Sequence, residues 1–595
     1  MHMHNDRPTA TFYKIFRRNK KRLFILYALV FSLAVFSGGC RKPDKKLPFF
    51  FIPPPANLDR NVPPELDTLA IGIPEPNWGT LHPVNTPAPA HPAGWPDAEV
   101  VDFYYIDNTH PQATDQDNPY GYPQRPRLTV PIKTYTPGSY IEMHGGPYPD
   151  IHVLRFPCTE AAPCWLRGAA ADQMPRISGS FRLFNPRYLF MEYLDFNGGD
   201  GGAVSISGID AHHVSFRKSF IQNRRYVNHT SALSFTPDLG GLIHNIVVTN
   251  NTFRELGNWQ SLADEDFHGV VPSLWGRDAT TELRDVWIMG NLFYHISGNG
   301  VQVNAGNWTD SFRYLHHVYL GKNIAYENRQ AGFWSKQSSD VIISQNISYA
   351  HRLYGGGVGD GIGYQYGPNN LWIIFNEIYD CNYGIRQSAT DVAFIANRAF
   401  IIGNLIYNIH PEPGMTYDPT HPARPGQGIS LWQGSMQRYV LDNTIYDVRG
   451  GINSVLDGPL IMSGNIISGI HPEDYHITSF HPARNGNATI DRALFHDPEG
   501  SIRFRWDWLS YEGLAAFQTA TGQCANCLTG DPLFTNASQN DFSINTNSPA
   551  HDANVEDNAY AIFFSLYGID IRVDHAGNSR PRGAAFDLGA REAME

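Results

Sequence analysis

Ile246-Val247-Val248-Thr249-Asn250-Asn251-Thr252-Phe253 decides the fold, because its pattern returns. Val286-Trp287-Ile288-Met289-Gly290-Asn291-Leu292-Phe293 repeats it, and so does Val318-Tyr319-Leu320-Gly321-Lys322-Asn323-Ile324-Ala325. Each is a short apolar run, broken at an Asn and resumed as a second apolar run. The series continues at Asn346, Asn376, Asn404, Asn443 and Asn465, and from Asn251 the intervals are 40, 32, 23, 30, 28, 39 and 22 residues. The shortest intervals match one coil of a solenoid, and the longer ones match a coil plus a loop insertion. Asn suits the bend because it tolerates left-handed backbone, and stacked Asn side chains can hydrogen-bond up a ladder.

A second mark follows most of these Asn residues. Gly plus an apolar residue opens another strand at Gly300-Val301, Gly332-Phe333, Gly361-Ile362, Gly384-Ile385, Gly428-Ile429 and Gly451-Ile452. Each unit therefore reads strand, turn at Asn, strand, turn, strand from Gly. Helical periodicity is absent across residues 180–470, and a propeller or sandwich would show tight two-residue hairpins instead. The expected fold class is all-β, a right-handed parallel β-helix solenoid over residues 97–500 with its N-terminal cap. Residues 501–595 are expected to close it, because an open coil exposes unpaired backbone. Phe103 to Asp107 is expected to build the first coil, and Tyr511 to Gln518 reads as a short helix.

Ahead of the solenoid, Lys14, Arg17, Arg18, Lys20, Lys21 and Arg22 precede a largely apolar run from Leu23 to Phe36. That run is shorter than the roughly 20 residues of a membrane span and has the length of a signal-peptide core. Ser37-Gly38-Gly39-Cys40 follows and resembles the lipobox of bacterial lipoproteins, with Ser37 where Leu is usual. The resemblance implies a signal peptide over 1–40, a lipid on Cys40 and export to the cell envelope, outer membrane included. Uncleaved anchoring is the alternative. Residues 41–96 are Pro-rich and aperiodic, so they read as an extended tether. In an oxidising compartment Cys158 with Cys164, and Cys524 with Cys527, are expected to form local disulfides, leaving Cys381 buried.

The net charge is −12 and charged residues make up 17% of the chain, which argues against nucleic acid as a partner. Aromatic residues reach 13%, a level that suits sugar-stacking surfaces and a β-rich core alike. No phosphate loop, His-Glu-x-x-His zinc motif or Gly-x-Ser-x-Gly elbow occurs.

On the Asn and Gly repeats the chain resembles the pectate-lyase-like family of right-handed parallel β-helix proteins, over roughly 100–595. The segments Asp531 to Phe534, Ser548 to Ala550 and Phe586 to Ala590 resemble the closing part of exported bacterial members. Strand alternation turns the second and fourth residues after each Gly outward. One face then carries Gln302, Asn304, Trp334, Lys336, Gln365, Arg386 and Trp432, a set suited to an acidic saccharide. Lys336-Gln337-Ser338-Ser339-Asp340 is similar to the Lys-bearing coil of alginate and dermatan lyases of this fold. That similarity implies β-elimination with Lys336 as base and Arg386 as carboxylate neutraliser. The Arg falls one coil further along than in that family. Asp264, Glu265 and Asp266 form a candidate Ca²⁺ loop. His351, Arg352, Tyr354 and Asp360 occupy an insertion that would wall the cleft. Two further readings stay open: a monomeric, non-catalytic glycan-binding or adhesion lipoprotein, and a glycoside hydrolase using loop carboxylates.

Overall fold

A computed structural model of the protein describes residues 71–261, 263–306, 311–351, 359–388, 397–412, 424–432, 434–455, 458–480 and 488–593. Cys40, the signal region, Arg352 and Tyr354 lie outside them. The chain winds as a parallel β-helix. In one coil, Asn299–Asn304 belongs to a first sheet, Leu315–Gly321 to a second and Ile324–Tyr326 to a third, before Ala331–Lys336 returns to the first. The first sheet stacks Asn299–Asn304, Ala331–Lys336, Asp360–Gln365, Tyr383–Gln387, Gln427–Leu431, Gly450–Ser454, Ile477–Ser479 and Arg503–Trp506, all in parallel register.

The Asn residues form a buried ladder. Asn251 Nδ2 donates to Asn291 Oδ1 at 3.0 Å, Asn291 to Asn323 at 3.0 Å, Asn323 to Asn346 at 3.0 Å and Asn346 to Asn376 at 3.0 Å. The run continues through Asn404 and Asn443 to Asn465. Each Oδ1 also accepts the backbone N–H of the preceding Asn, as Asn376 Oδ1 does from Asn346 N at 3.0 Å. The bend itself corrects the expectation. Left-handed backbone falls on the residue before each Asn, including Lys322 (φ 52), Gln345 (φ 56) and Phe375 (φ 56). The amide must point inward to reach its neighbour, so the preceding residue takes the turn.

The glycines act by packing. A Cβ on Gly361 would lie 2.3 Å from Ile378 Cγ2 and 2.7 Å from Gly384 O, and one on Gly384 would lie 2.4 Å from Gly428 O. Third-sheet side chains and the next coil's carbonyl occupy that space. The apolar residues that follow, Val301, Phe333, Ile362, Ile385, Ile429 and Ile452, stack in the core.

Residues 71–96 are not a free tether. Trp78, Val84 and Trp95 are buried in one cluster with the outer side of the second sheet. Arg217 donates to the carbonyls of Pro83 at 3.3 Å, Val84 at 2.9 Å and Thr86 at 2.5 Å, and Trp287 Nε1 donates to Pro74 O at 3.2 Å. Prolines keep the segment extended, and interspersed Trp and Val glue it down as a strap. The helix Asn558–Tyr567 covers another part of the same aromatic row, setting Phe563 edge-on to Trp372 at 4.8 Å.

At the C-terminal end the strands Arg503–Trp506 and Leu509–Glu512 form an antiparallel hairpin. The expected helix starts later, at Leu514, because Tyr511 and Glu512 are held in that hairpin. Phe517 from this helix stacks on Phe504 at 4.4 Å and plugs the last coil. Cys158 is bonded to Cys164 and Cys524 to Cys527, and Cys381 is buried.

Candidate functional site

The outer side of the first sheet carries a pocket lined by Asp266, Asn299, Gln302, Gln330, Trp334, Lys336, Asp360, Gln365, Arg386 and Ser388. Register explains why these groups meet. Gln302 pairs with Trp334, Trp334 with Gly363, and Gly363 with Arg386, forming one row. Asn304, Lys336 and Gln365 form the row beside it. Gly363 is the spacer: a Cβ there would lie 2.1 Å from Trp334 Cζ3. The indole lies across that gap and donates from Nε1 to Gln365 Oε1 at 3.0 Å. Trp334 is 5% exposed, so it forms a wall of the pocket more than an open platform. Arg386 Cζ sits 5.8 Å from the Trp334 ring centre and 4.9 Å from that of Tyr383.

Two carboxylates flank the cations. Asp360 is fully buried, and Arg386 Nε lies 2.9 Å from its Oδ1. The contact is ionic and not aligned as a hydrogen bond, so among the described residues both oxygens of Asp360 are buried without a hydrogen-bond donor. Burial pushes Asp360 up to about 6, with Arg386 opposing. Asp266 accepts from Arg329 Nη2 at 2.6 Å and from Gln330 Nε2. Burial, then the neighbouring Asp264, push it up to about 6 against the pull of Arg329. Burial also lowers the proton affinity of Lys336, with Asp266 and Asp264 opposing. Among the described residues the Lys336 ammonium has no hydrogen bond or ion pair. Below the pocket, His268 Nδ1 accepts from Asn299 N at 2.9 Å, and burial holds its pKa down at about 3.

Of the residues expected on this face, Gln302, Trp334, Lys336, Gln365 and Arg386 converge on the pocket. Asn304 adjoins Lys336 but turns its Oδ1 to its own loop, accepting from Gly306 N at 3.1 Å. Trp432 follows the end of the strand Gln427–Leu431, further along the stack, and does not line the pocket. The Asp264-Glu265-Asp266 loop does not fit a resident Ca²⁺. Asp266 is taken by Arg329 and Gln330, and Asp264 lies 3.5 Å from the same guanidinium. Among the described residues, these three do not form a group of ligand atoms close enough to hold an ion. Asn299, Gln330 and the Arg386 contact of Asp360 escaped the sequence reading. Strict alternation puts the residue before each Gly inside, whereas the entering turn swings Asn299 and Asp360 toward the pocket. An acidic residue directly before a coil Gly, as in Asp360-Gly361, is the signal that could have found the second.

No family model matches the chain, and no curated protein matches it. Among solved structures, a GH136 lacto-N-biosidase from Eubacterium ramulus is similar at 13% identity, TM-score 0.36, over 66% of this chain and 67% of that one. The A-module of the Azotobacter vinelandii mannuronan C-5 epimerase AlgE6 is similar at 12% identity, TM-score 0.36, over 66% and 90%. A mannuronic acid specific polysaccharide family 6 lyase from human gut microbiota is similar at 14% identity, TM-score 0.35, over 68% and 88%. Likenesses at such scores assign no chemistry to this chain, whose site rests on its own residues.

Proposed function

We propose that the protein binds an acidic polysaccharide along the first sheet and cleaves it by β-elimination. The observation that carries this reading is Lys336: a partly desolvated amine with no hydrogen bond or ion pair among the described residues, in one pocket with the Arg386–Asp360 pair. A lysine of lowered proton affinity can serve as a general base. Its amine takes the proton beside the uronate carboxylate, and the electron pair forms the new C=C bond. The bond to the leaving oxygen breaks, and that oxygen takes up a proton. Arg386, held by Asp360, faces the carboxylate as negative charge grows on it. Trp334, Gln302 and Gln365 position the ring.

A panel of uronate polysaccharides tests this. The native chain is expected to release products with the ultraviolet absorbance of an unsaturated uronate, and Lys336→Ala is expected to release none. Persistent absorbance in that variant would remove Lys336 as base. A hydrolase is the second reading, favoured by the raised pKa of Asp266 and Asp360. New reducing ends without absorbance would establish it, and binding without product would leave a glycan-binding module. The same proposal places the chain at the cell envelope, anchored through Cys40. Fatty-acid labelling that survives Cys40→Ala would exclude that anchor.

A further inference from the structure

On the N-terminal side of the pocket the first sheet includes Ile151–Leu154, Phe181–Phe184 and the leading parts of Val204–Arg217 and Thr230–Thr249. Phe184 pairs with Ser207 and Ser207 with Thr236, while Ser273 pairs with Asn304 and Asn304 with Lys336. The pairing of Phe235 with Pro272 joins the two runs. Phe184 thus stands roughly 24 Å from the row position of Lys336, at about 4.8 Å per coil. Arg182 heads the adjoining row, pairing with Ser205, which pairs with Ser234.

Exposed groups on this stretch suit an anionic sugar. Arg182 and Phe184 turn outward on either side of buried Leu183. Arg155 follows Leu154, the partner of Leu183, and its Cζ lies 5.2 Å from the ring centre of Phe184. That contact holds the Arg155 guanidinium on the face that carries Arg182. Both arginines are exposed, and among the described residues neither side chain has an ion pair or a hydrogen bond. They make a cationic patch on a chain of net charge −12. Between this pair and the pocket Val271 and Ser273 are buried, but Trp275, at the edge of that coil, is 58% exposed. Its backbone is fixed: Arg277 N donates to Leu274 O at 3.0 Å, and Gly276 (φ 72) takes the left-handed position of the turn. Leu274 is fully buried, so the turn presents the indole from a firm base.

We propose that Arg155, Arg182 and Trp275 form an accessory site that grips the uronate polysaccharide apart from the Lys336 pocket. This rests on the function proposed above and adds a preference to it: a long chain is held at both places, a short one at the pocket alone. Each guanidinium pairs with a carboxylate through two N–H groups. The indole face stacks on a pyranose ring. The floor between the two places does not have to be open, because a polymer held at one has a high effective concentration at the other.

The test uses the full chain and uronate oligosaccharides, from disaccharides to chains longer than the separation of the two places, with affinity read by titration calorimetry. Affinity is expected to climb with length. The double variant Arg155→Ala/Arg182→Ala is expected to bind the longest oligomers about tenfold more weakly and the disaccharide unchanged. Trp275→Ala alters no charge, so a loss of about fivefold for long oligomers separates stacking from general attraction to a cationic surface. Both variants should keep the native thermal midpoint, because the three side chains are exposed. Length-independent binding by the native chain, or an unchanged affinity for long oligomers in either variant, would overturn the accessory site while leaving the Lys336 pocket standing. Length-dependent binding that both variants weaken, with no unsaturated product from the native chain, would keep the accessory site and remove the elimination. Failure of every uronate oligomer to bind would overturn both.

Discussion

Lys336 concentrates the chemistry of the site in one proton. Burial favours its neutral form while Asp266 and Asp264 oppose, and the net effect lowers its pKa. A base acts when deprotonated, so kcat/KM is expected to rise with pH and reach half its maximum below the ordinary lysine value. A profile flat through the alkaline range would exclude the role. Lys336→Arg keeps a charge but stays protonated, so it should be as inactive as Lys336→Ala. Gly363 is the second decisive residue. A methyl there collides with the Trp334 ring, so Gly363→Ala should displace the indole and break its bond to Gln365. Loss of at least tenfold in kcat/KM with an intact fold by circular dichroism is expected, and native kinetics would show that the indole position is unimportant. Of this site, Trp334, Lys336, Gln365 and Arg386 were legible because alternation from each Gly is enforced by the buried residue between them. Asp360 was not, since the turn that enters its strand breaks the alternation.

At the level of the element, hydrogen bonds between coils carry the specificity. Asn376 accepts from Asn346 N and Asn346 Nδ2 and donates to Asn404 Oδ1 and Ile343 O. Asn376→Ala leaves several of these groups buried and unsatisfied, so a loss of about 3 kcal/mol or more is expected in denaturant unfolding. Asn376→Asp would set a carboxylate oxygen against Asn404 Oδ1 and Ile343 O in a buried site, so it should be at least as destabilising as Asn376→Ala. The third sheet offers a pH-dependent counterpart. His295 lies between Glu255 and Glu327, and Trp259 stacks on it at 4.2 Å. Burial works against the imidazolium, but the bonded carboxylates outweigh it and push the pKa from 6.5 up to about 9. Because the folded value is raised, the stabilisation is complete below about 6.5 and is lost as pH rises through about 9. Glu255 is 41% exposed, so screening reduces the contribution to about 1–2 kcal/mol. His295→Gln should flatten the change in unfolding free energy across that window, and an unaltered pH dependence would refute the assignment.

Across the whole molecule, the three sheets have different occupations. The second presents a row of aromatics, with Trp165 on Phe190 at 4.3 Å and Trp372 on Phe400 at 3.7 Å. The strap of residues 71–96 and the helix Asn558–Tyr567 cover parts of that row. Much of the aromatic content is therefore structural, and the first sheet is left as the face with the polar pocket. Trp78 is 1% exposed and meets Phe190 at 5.4 Å. Trp78→Ala should cost about 3 kcal/mol and speed proteolysis ahead of residue 97, whereas a native cleavage pattern would mean the strap is not held by that ring.

The parallel solenoid, its coil count marks and the outward rows of the first sheet were determined by sequence alone, because they follow from local periodicity. Asn, Gly and alternating apolar residues each impose a short-range geometry that repetition turns into a fold. Tertiary structure decided what periodicity does not encode. It turned a Pro-rich segment into a strap, set Asp266 on Arg329 in place of a cation, and brought Asp360 under Arg386. Those contacts join residues far apart in the chain or at the ends of strands, where packing between coils, and not the pattern within one, sets the direction of a side chain.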